Sequence, residues 1–326
     1  MTSCNSSLRL GLLSTAKIND MVIASAPDTV RIVGVASRDG AHAQAYASER
    51  GIERPHGSYE ALLADPDVDA IYVSLPNGLH HDWTMKALEA GKHVLCEKPY
   101  SRRPDEVEEA WDTAADRRLV LAEALMYRHH PQARRAQELV AGGAIGRLRS
   151  IRSSFSVRLA DHGDIRMRPD LDGGALMDLG CYCVSGSRLL GGEPEHVLCE
   201  LVLAPSGVDI DFHGTIRFPG DVVAQLDASF SLPSRQRLEA LGEEGTLVLD
   251  APWRPDWGFK LSIERGEEVE LVEVAAADSY RLELEDFAAA VRRERQPLLG
   301  RDDALAQART IAALYRSAET GAAVAL

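Results

Sequence analysis

From residue 8 to residue 125, short apolar runs alternate with longer segments whose apolar residues recur at helical spacing. The runs are residues 8–13, 31–37, 69–75, one ending at Cys96, and 119–125; the helical segments are 17–26, 40–50, 80–89 and 104–117. Turn signals separate them: the small residues Ser14-Thr15-Ala16, then Pro76-Asn77-Gly78, Gly91, and Pro104 in a first helical turn. Parallel strands need a crossover between them, and helical crossovers cover both faces of the sheet. The pattern therefore predicts an α/β fold, a doubly wound Rossmann domain of the nucleotide-binding kind.

The second half changes period. Residues 131–141 and 174–190 read as helices. Residues 146–158, 196–203, 209–218, 222–232, 236–241, 246–249, 260–263 and 268–274 alternate polar and apolar, with turns at Pro219-Gly220 and Gly242–Gly245. Two helices, 279–294 and 302–320, end the chain. A chain of 326 residues exceeds what one core usually supports. The expected division is a Rossmann domain over 1–126 and an α+β domain with a large, mostly antiparallel sheet over 127–326, serving substrate binding and oligomerisation. An open sheet with one polar face needs covering, which predicts a homodimer or homotetramer.

Charge narrows the partners. Lys and Arg number 36 against 50 Asp and Glu, a formal charge of −14 with no basic block, so a phosphate polymer would be repelled and no nucleic acid partner is expected. No apolar run is long enough to span a bilayer, so no membrane partner is expected. The first seven residues lack the basic region and apolar core of a secretory signal. Cys4, Cys96, Cys181, Cys183 and Cys199 are odd in number and have no framework spacing, which suits reduced thiols in a cytoplasmic protein. Cys181 and Cys183 with His196 match no zinc spacing, and no metal is expected.

The run Val94-Leu95-Cys96 ends abruptly in Glu97-Lys98-Pro99. Proline bars the strand from continuing in the ladder, so a carboxylate and an ammonium stand at a C-terminal strand end, where α/β sheets do their chemistry. Taken alone, the pair could equally be a surface ion pair. With Leu10 to Ile18 as a phosphate loop, Tyr127-Arg128-His129-His130-Pro131-Gln132 after the first domain, and Gly173 to Tyr182 opening a helix, the chain resembles the Gfo/Idh/MocA oxidoreductases over nearly its whole length. Ile165-Arg166 and Asp178-x-Gly180-x-Tyr182 are most similar to the D-xylose and dihydrodiol dehydrogenase subgroup, with sugar-nucleotide ketoreductases close behind.

The resemblance implies a nicotinamide cofactor held by Ser14, Thr15, Ala16, Lys17, Ile18, Ser37, Arg38, Leu75, Pro76, Asn77, His80, Glu97, Lys98 and Arg166. One departure is plain: the glycines of G-x-G-x-x-G are replaced by Ser14, Ala16 and Asn19. Serine and alanine are small enough for pyrophosphate to approach, and a serine hydroxyl could add a donor. After the second strand stand Ser37-Arg38-Asp39, which suit the 2′-phosphate of NADP. Asp39 is one residue late for the ribose 2′-hydroxyl of NAD, the alternative cofactor, and could instead cap the next helix.

Asp178 and Tyr182 are four apart and would share a helical face. The resemblance places that face beside Lys98 and the nicotinamide. A phenol with a reference pKa of about 10 is a poor base, and a neighbouring ammonium favours its phenolate. Lys98, Tyr182 and Asp178 are thus the expected catalytic residues, with Tyr127 joining them around the substrate. Either Lys98 or Tyr182 could carry the proton. The implied activity interconverts hydroxyl and carbonyl on a sugar or related cyclic polyol by hydride transfer with NADP. The alternatives are a sugar-nucleotide ketoreductase, an NAD-dependent glycosidase, or a non-catalytic regulator on the same fold.

Overall fold

The computed structural model describes residues 7–161 and 163–326; Cys4 and the N-terminal segment read for a signal lie outside them. The chain forms two compact units. The first comprises residues up to 101, 105–126 and 280–305, and the second 102–104, 127–279 and 306–326.

The first unit is built on six parallel strands: β1 (Leu8–Leu13), β2 (Val30–Ala36), β3 (Arg54–His56), β4 (Ala70–Val73), β5 (His93–Glu97) and β6 (Leu121–Ala124), in the order β3-β2-β1-β4-β5-β6. Its helices are α1 (Ile18–Ala24), α2 (Gly40–Arg50), α3 (Tyr59–Leu63), α4 (His80–Glu89) and α5 (Pro104–Asp116). Every residue of β4 and of β6 is buried, as strands covered on both faces must be. The order reverses between β1 and β4. That is the topological switch point, where doubly wound sheets bind ligands beyond their C-terminal strand ends. The residues following those ends are Ser14, Ser37, Ser74 and Lys98.

The second unit carries α6 (Pro131–Ala141), β7 (Leu148–Ser156), a π-helical turn Leu176–Gly180 running into α7 (Cys181–Gly191), and the strands β8 (His196–Leu203), β9 (Asp209–Phe218), β10 (Val222–Ser229), β11 (Arg235–Gly242), β12 (Thr246–Leu249), β13 (Leu261–Arg265) and β14 (Glu268–Leu271). Helices α8 (Ser279–Val291) and α9 (Arg301–Thr320) follow, then β15 (Val324–Ala325). The nine strands run β14-β13-β12-β11-β7-β10-β9-β8-β15, antiparallel except for β7 with β10. Helix α7 packs on β7 and β10 and is buried almost all round, as a helix under a sheet should be.

Several features depart from the sequence reading, the short α3 and β15 among them. β3 has no apolar run to announce it. The chain is also not divided by a single cut at 126, because residues 280–305 cluster with the first unit. Tyr280 and Glu283 there face Tyr72 of β4, and Arg301 pairs with Asp112 at 2.8 Å. Residues 102–104 join the second unit, where Arg102 and Arg103 each lie 3.0 Å from Asp172.

Cys96, Cys181, Cys183 and Cys199 are free and buried, and burial raises the Cys199 thiol to about 12. Among the described residues no cluster of metal-ligating side chains forms, and no helix is long and apolar enough to cross a membrane.

Candidate active site

The loop after β1 closes without its usual glycines. Ser14 takes a φ of 153°, a conformation that favours glycine, and side-chain hydrogen bonds hold it there. Its hydroxyl donates to the Ser74 carbonyl at 2.9 Å, lies 2.8 Å from the Ser74 hydroxyl, and accepts the Ala16 N–H at 3.1 Å. Buried Asn19, at the third glycine position, donates Nδ2 to the Ser14 carbonyl at 2.8 Å. The Ser14 hydroxyl thus ties β1 to β4 instead of serving as an additional phosphate donor. Thr15, Ala16 and Ile18 are half-buried, and Lys17 is exposed.

At the end of β2 the alternatives for Asp39 resolve. Its Oδ1 accepts the Ala41 and His42 amides at 2.8 and 3.3 Å, so it is the N-cap of α2. The Ser37 hydroxyl accepts the Asp39 N–H at 3.2 Å, leaving its own proton to donate. Arg38 is exposed and faces the phenol of Tyr59. Burial raises the Tyr59 phenol and Arg38 partly offsets this. Tyr59 stands edge-on to Trp83, at 4.9 Å between ring centroids. Ser37 and Arg38 are donors and the nearby carboxylate is engaged by a helix. This donor set fits a 2′-phosphate better than a ribose hydroxyl.

Around β4 and β5, Leu75 is buried while Pro76 and Asn77 are half-buried. His80 does not present its ring to solvent. It is fully buried, with Nδ1 2.9 Å from the Pro99 carbonyl and Nε2 2.8 Å from the Leu75 carbonyl. It therefore acts through the backbone it braces, joining the segment after β4 to the segment after Lys98. Burial, the largest influence, lowers its pKa, and the Lys98 charge lowers it further. Lys98 is half-buried, precedes a cis peptide to Pro99, and donates its backbone N–H to Glu97 Oε2 at 3.2 Å. The Tyr72 hydroxyl donates to Glu97 Oε1.

In the second unit, Gly173 and Gly174 shape the approach to α7. A Cβ at Gly173 would lie 2.3 Å from the Arg166 carbonyl oxygen, and one at Gly174, whose φ is 137°, would lie 2.2 Å from Asp209 Oδ1. Only glycine fits both places. Buried Asp209 anchors the turn by accepting the Leu176 N–H at 2.7 Å and the Tyr315 hydroxyl at 3.0 Å. Arg166 then reaches Asp178, Nε to Oδ2 at 3.1 Å, which brings two of the expected site residues together. Asp178 sits in the π turn and Tyr182 in α7, so the wider turn relaxes the shared-face geometry that a uniform α-helix would impose. Tyr182, 7% exposed, packs its ring against Tyr127, Phe155 and Trp253 at centroid distances of 5.9, 5.5 and 6.1 Å. Tyr127 is buried, and its hydroxyl lies 2.7 Å from the Ser185 hydroxyl.

Several contributors escape a reading of the sequence. Asn19 could be found by its place in the glycine pattern, and Ser185 by standing one helical turn beyond Tyr182. Tyr59, Phe155 and Trp253 carry no local signal. Trp253 is held by its indole N–H on the Ser154 carbonyl at 3.0 Å, a contact across 99 residues.

Comparison with known proteins agrees with this architecture. Residues 11–125 match the model of the oxidoreductase family with an NAD-binding Rossmann fold, and residues 133–248 match the GFO/IDH/MocA C-terminal domain. The chain is 41% identical to a D-xylose 1-dehydrogenase (NADP(+)) of Haloferax volcanii, over 98% of this chain and 100% of that one. It is 38% identical to a dTDP-3,4-didehydro-2,6-dideoxy-alpha-D-glucose 3-reductase of Streptomyces violaceoruber, over 89% and 86%. Among solved structures it resembles KijD10, a 3-ketoreductase from Actinomadura kijaniata in complex with NADP and TDP-benzene, with a TM-score of 0.90, 32% identity and coverage of 96% and 98%. The chain belongs to the Gfo/Idh/MocA family of oxidoreductases.

Proposed function

We propose that this protein is an NADP-dependent oxidoreductase that interconverts a hydroxyl and a carbonyl on a free sugar or related cyclic polyol. The end-to-end similarity to a D-xylose dehydrogenase carries this reading. The donor pair Ser37–Arg38, with Asp39 engaged as a helix cap, supports the choice of cofactor.

In this reading Ser37 and Arg38 hold the 2′-phosphate, and the loop Ser14 to Ile18 accommodates the pyrophosphate. Bound NADP supplies the hydride acceptor or donor. Lys98 binds the reacting oxygen and, as a cation, favours the phenolate of Tyr182. Tyr182 takes the hydroxyl proton during oxidation and returns it during reduction. Asp178, fixed by Arg166, accepts a hydrogen bond from a second sugar hydroxyl and so orients the ring. Tyr127 supports the Tyr182 ring at the substrate side.

Four buried thiols outside any disulfide suit a reducing compartment such as the cytoplasm. The outer face of the nine-stranded sheet suits an even-numbered homo-oligomer.

A panel of aldoses, cyclitols and trans-dihydrodiols with NADP and NAD, followed at the absorbance of reduced nicotinamide, tests the assignment. Turnover of a free pentose or hexose with NADP is the expected result. Turnover confined to a nucleotide-linked keto sugar would replace it with the ketoreductase reading, which the likeness to KijD10 favours. Hydrolysis of a glycoside without net cofactor reduction would replace it with the glycosidase reading.

A further inference from the structure

Behind the end of β5 lies a group of acidic and phenolic side chains that the proposed reaction does not use. Glu283, on α8, is 2% exposed, and its Oε1 has no hydrogen-bond partner among the described residues. The groups facing it are Glu97 on β5, Asp286 one turn along α8, and Tyr72 on β4, with Tyr280 of α8 also facing Tyr72. None is a cation.

Both neighbouring carboxyl groups are engaged as acceptors. Asp286 accepts the Arg295 Nε–H and the Leu298 N–H, both at 2.8 Å. Glu97 likewise accepts on both oxygens, from the Tyr72 hydroxyl and from the Lys98 N–H at 3.2 Å. A third carboxylate in the same dry space would be uncompensated, and such a group takes up a proton instead.

We propose that Glu283 is a positioning residue that works as a neutral carboxylic acid, leaving the Glu97 carboxylate undisturbed on Tyr72 and on the backbone of Lys98. Ionisation of Glu283 would set two carboxylates against each other. Glu97 is the more exposed of the two, and its displacement from the Tyr72 hydroxyl and the Lys98 N–H would loosen the strand end that presents Lys98. Burial, then the charges of Glu97 and Asp286, raise the pKa of Glu283 well above the usual carboxylate range, in keeping with this arrangement. The inference rests on Lys98 acting at the reacting oxygen.

Difference infrared spectroscopy of the whole protein tests the protonation directly. Wild type minus Glu283→Gln should show the carbonyl stretch of a carboxylic acid at pH 7, and 13C-glutamate labelling should move that band in the wild type without any substitution. Absence of the band overturns the proposal. Turnover tests the positioning role. The ratio of Glu283→Gln to wild-type kcat should be level near neutrality and rise about tenfold for each pH unit above the pH at which the band titrates. An identical alkaline limb in both proteins overturns the proposal.

Stability supplies a readout independent of the substrate. The folded pKa lies above the unfolded value of about 4.3, so wild type should lose stability relative to Glu283→Gln as pH rises from there through the folded value. Parallel melting temperatures across that range would also overturn it. If neither protein turns over any sugar, the proposed function fails, while the band and the melting temperatures still decide the state of Glu283.

Discussion

At the scale of single residues, the chemistry concentrates on a few groups whose surroundings are distinct. Tyr182 is wedged among Tyr127, Phe155 and Trp253, so its ring is placed by packing, and the proposed function gives its hydroxyl the proton. Tyr182→Phe keeps the packing and removes the hydroxyl proposed to carry the proton. Steady-state kinetics should show a fall in kcat of about 10²-fold or more, the usual range for a positioned acid or base. A near-normal rate with an unchanged pH profile would move the proton to Lys98. Arg38 is exposed, with its guanidinium against the phenol of Tyr59 at the end of β2. Arg38→Ala should raise the KM for NADP far more than that for NAD. A charge-assisted hydrogen bond contributes roughly 1.5–3 kcal/mol, about 10- to 150-fold in the ratio of specificity constants. If neither constant changes, Arg38 is only a solvated turn residue.

At the scale of elements, short side chains do what glycines and long loops do elsewhere. Ser14, Ser74 and Asn19 lock the turn between β1 and α1, and Asp209 with Gly174 locks the π turn that precedes α7. Asp39 is the clearest case of an element claiming a residue that the cofactor might have used. Its cap on α2 predicts that Asp39→Ala costs about 0.5–2 kcal/mol of stability, read as a lower melting temperature or denaturant midpoint. The same substitution should leave the KM for NADP within about twofold, since a binding difference of that size is under about 0.5 kcal/mol. A selective loss of NAD affinity with unchanged stability would instead give Asp39 back to the ribose.

At the scale of the whole molecule, the outer face of the second unit's sheet carries exposed apolar and charged side chains together. Leu198 and Val202 on β8 are 45% and 49% exposed there. On the same face Arg152, Arg235 and Arg237 intersperse with Asp227 and Glu239 around a concavity of about 410 Å³. Mixed signs of this kind are self-complementary when a two-fold axis brings the face against itself. Light scattering at micromolar concentration should thus return an even multiple of the chain mass, and a monomer would contradict it.

Much of this protein could be read before any coordinates. The alternation over residues 8–125 determined the parallel sheet because strands buried on both faces must be apolar and must be joined by helices. The polar–apolar alternation after residue 146 likewise determined a second sheet open on one side. The Glu97-Lys98-Pro99 strand end and the segment carrying Asp178 and Tyr182 stood out only through the family resemblance, since a charged pair closing a strand is by itself no more than a surface ion pair. Tertiary structure alone decided that Asp39 caps α2, that the Ser14 hydroxyl turns inward to Ser74, and that His80 braces two carbonyls. It also decided that residues 280–305 return to the first unit, bringing Glu283 to Glu97. The physical reason is common to all four. Hydrophobic periodicity is a local property of the chain, whereas the hydrogen-bond and charge partners of a polar side chain are chosen among groups that only the folded chain brings within reach.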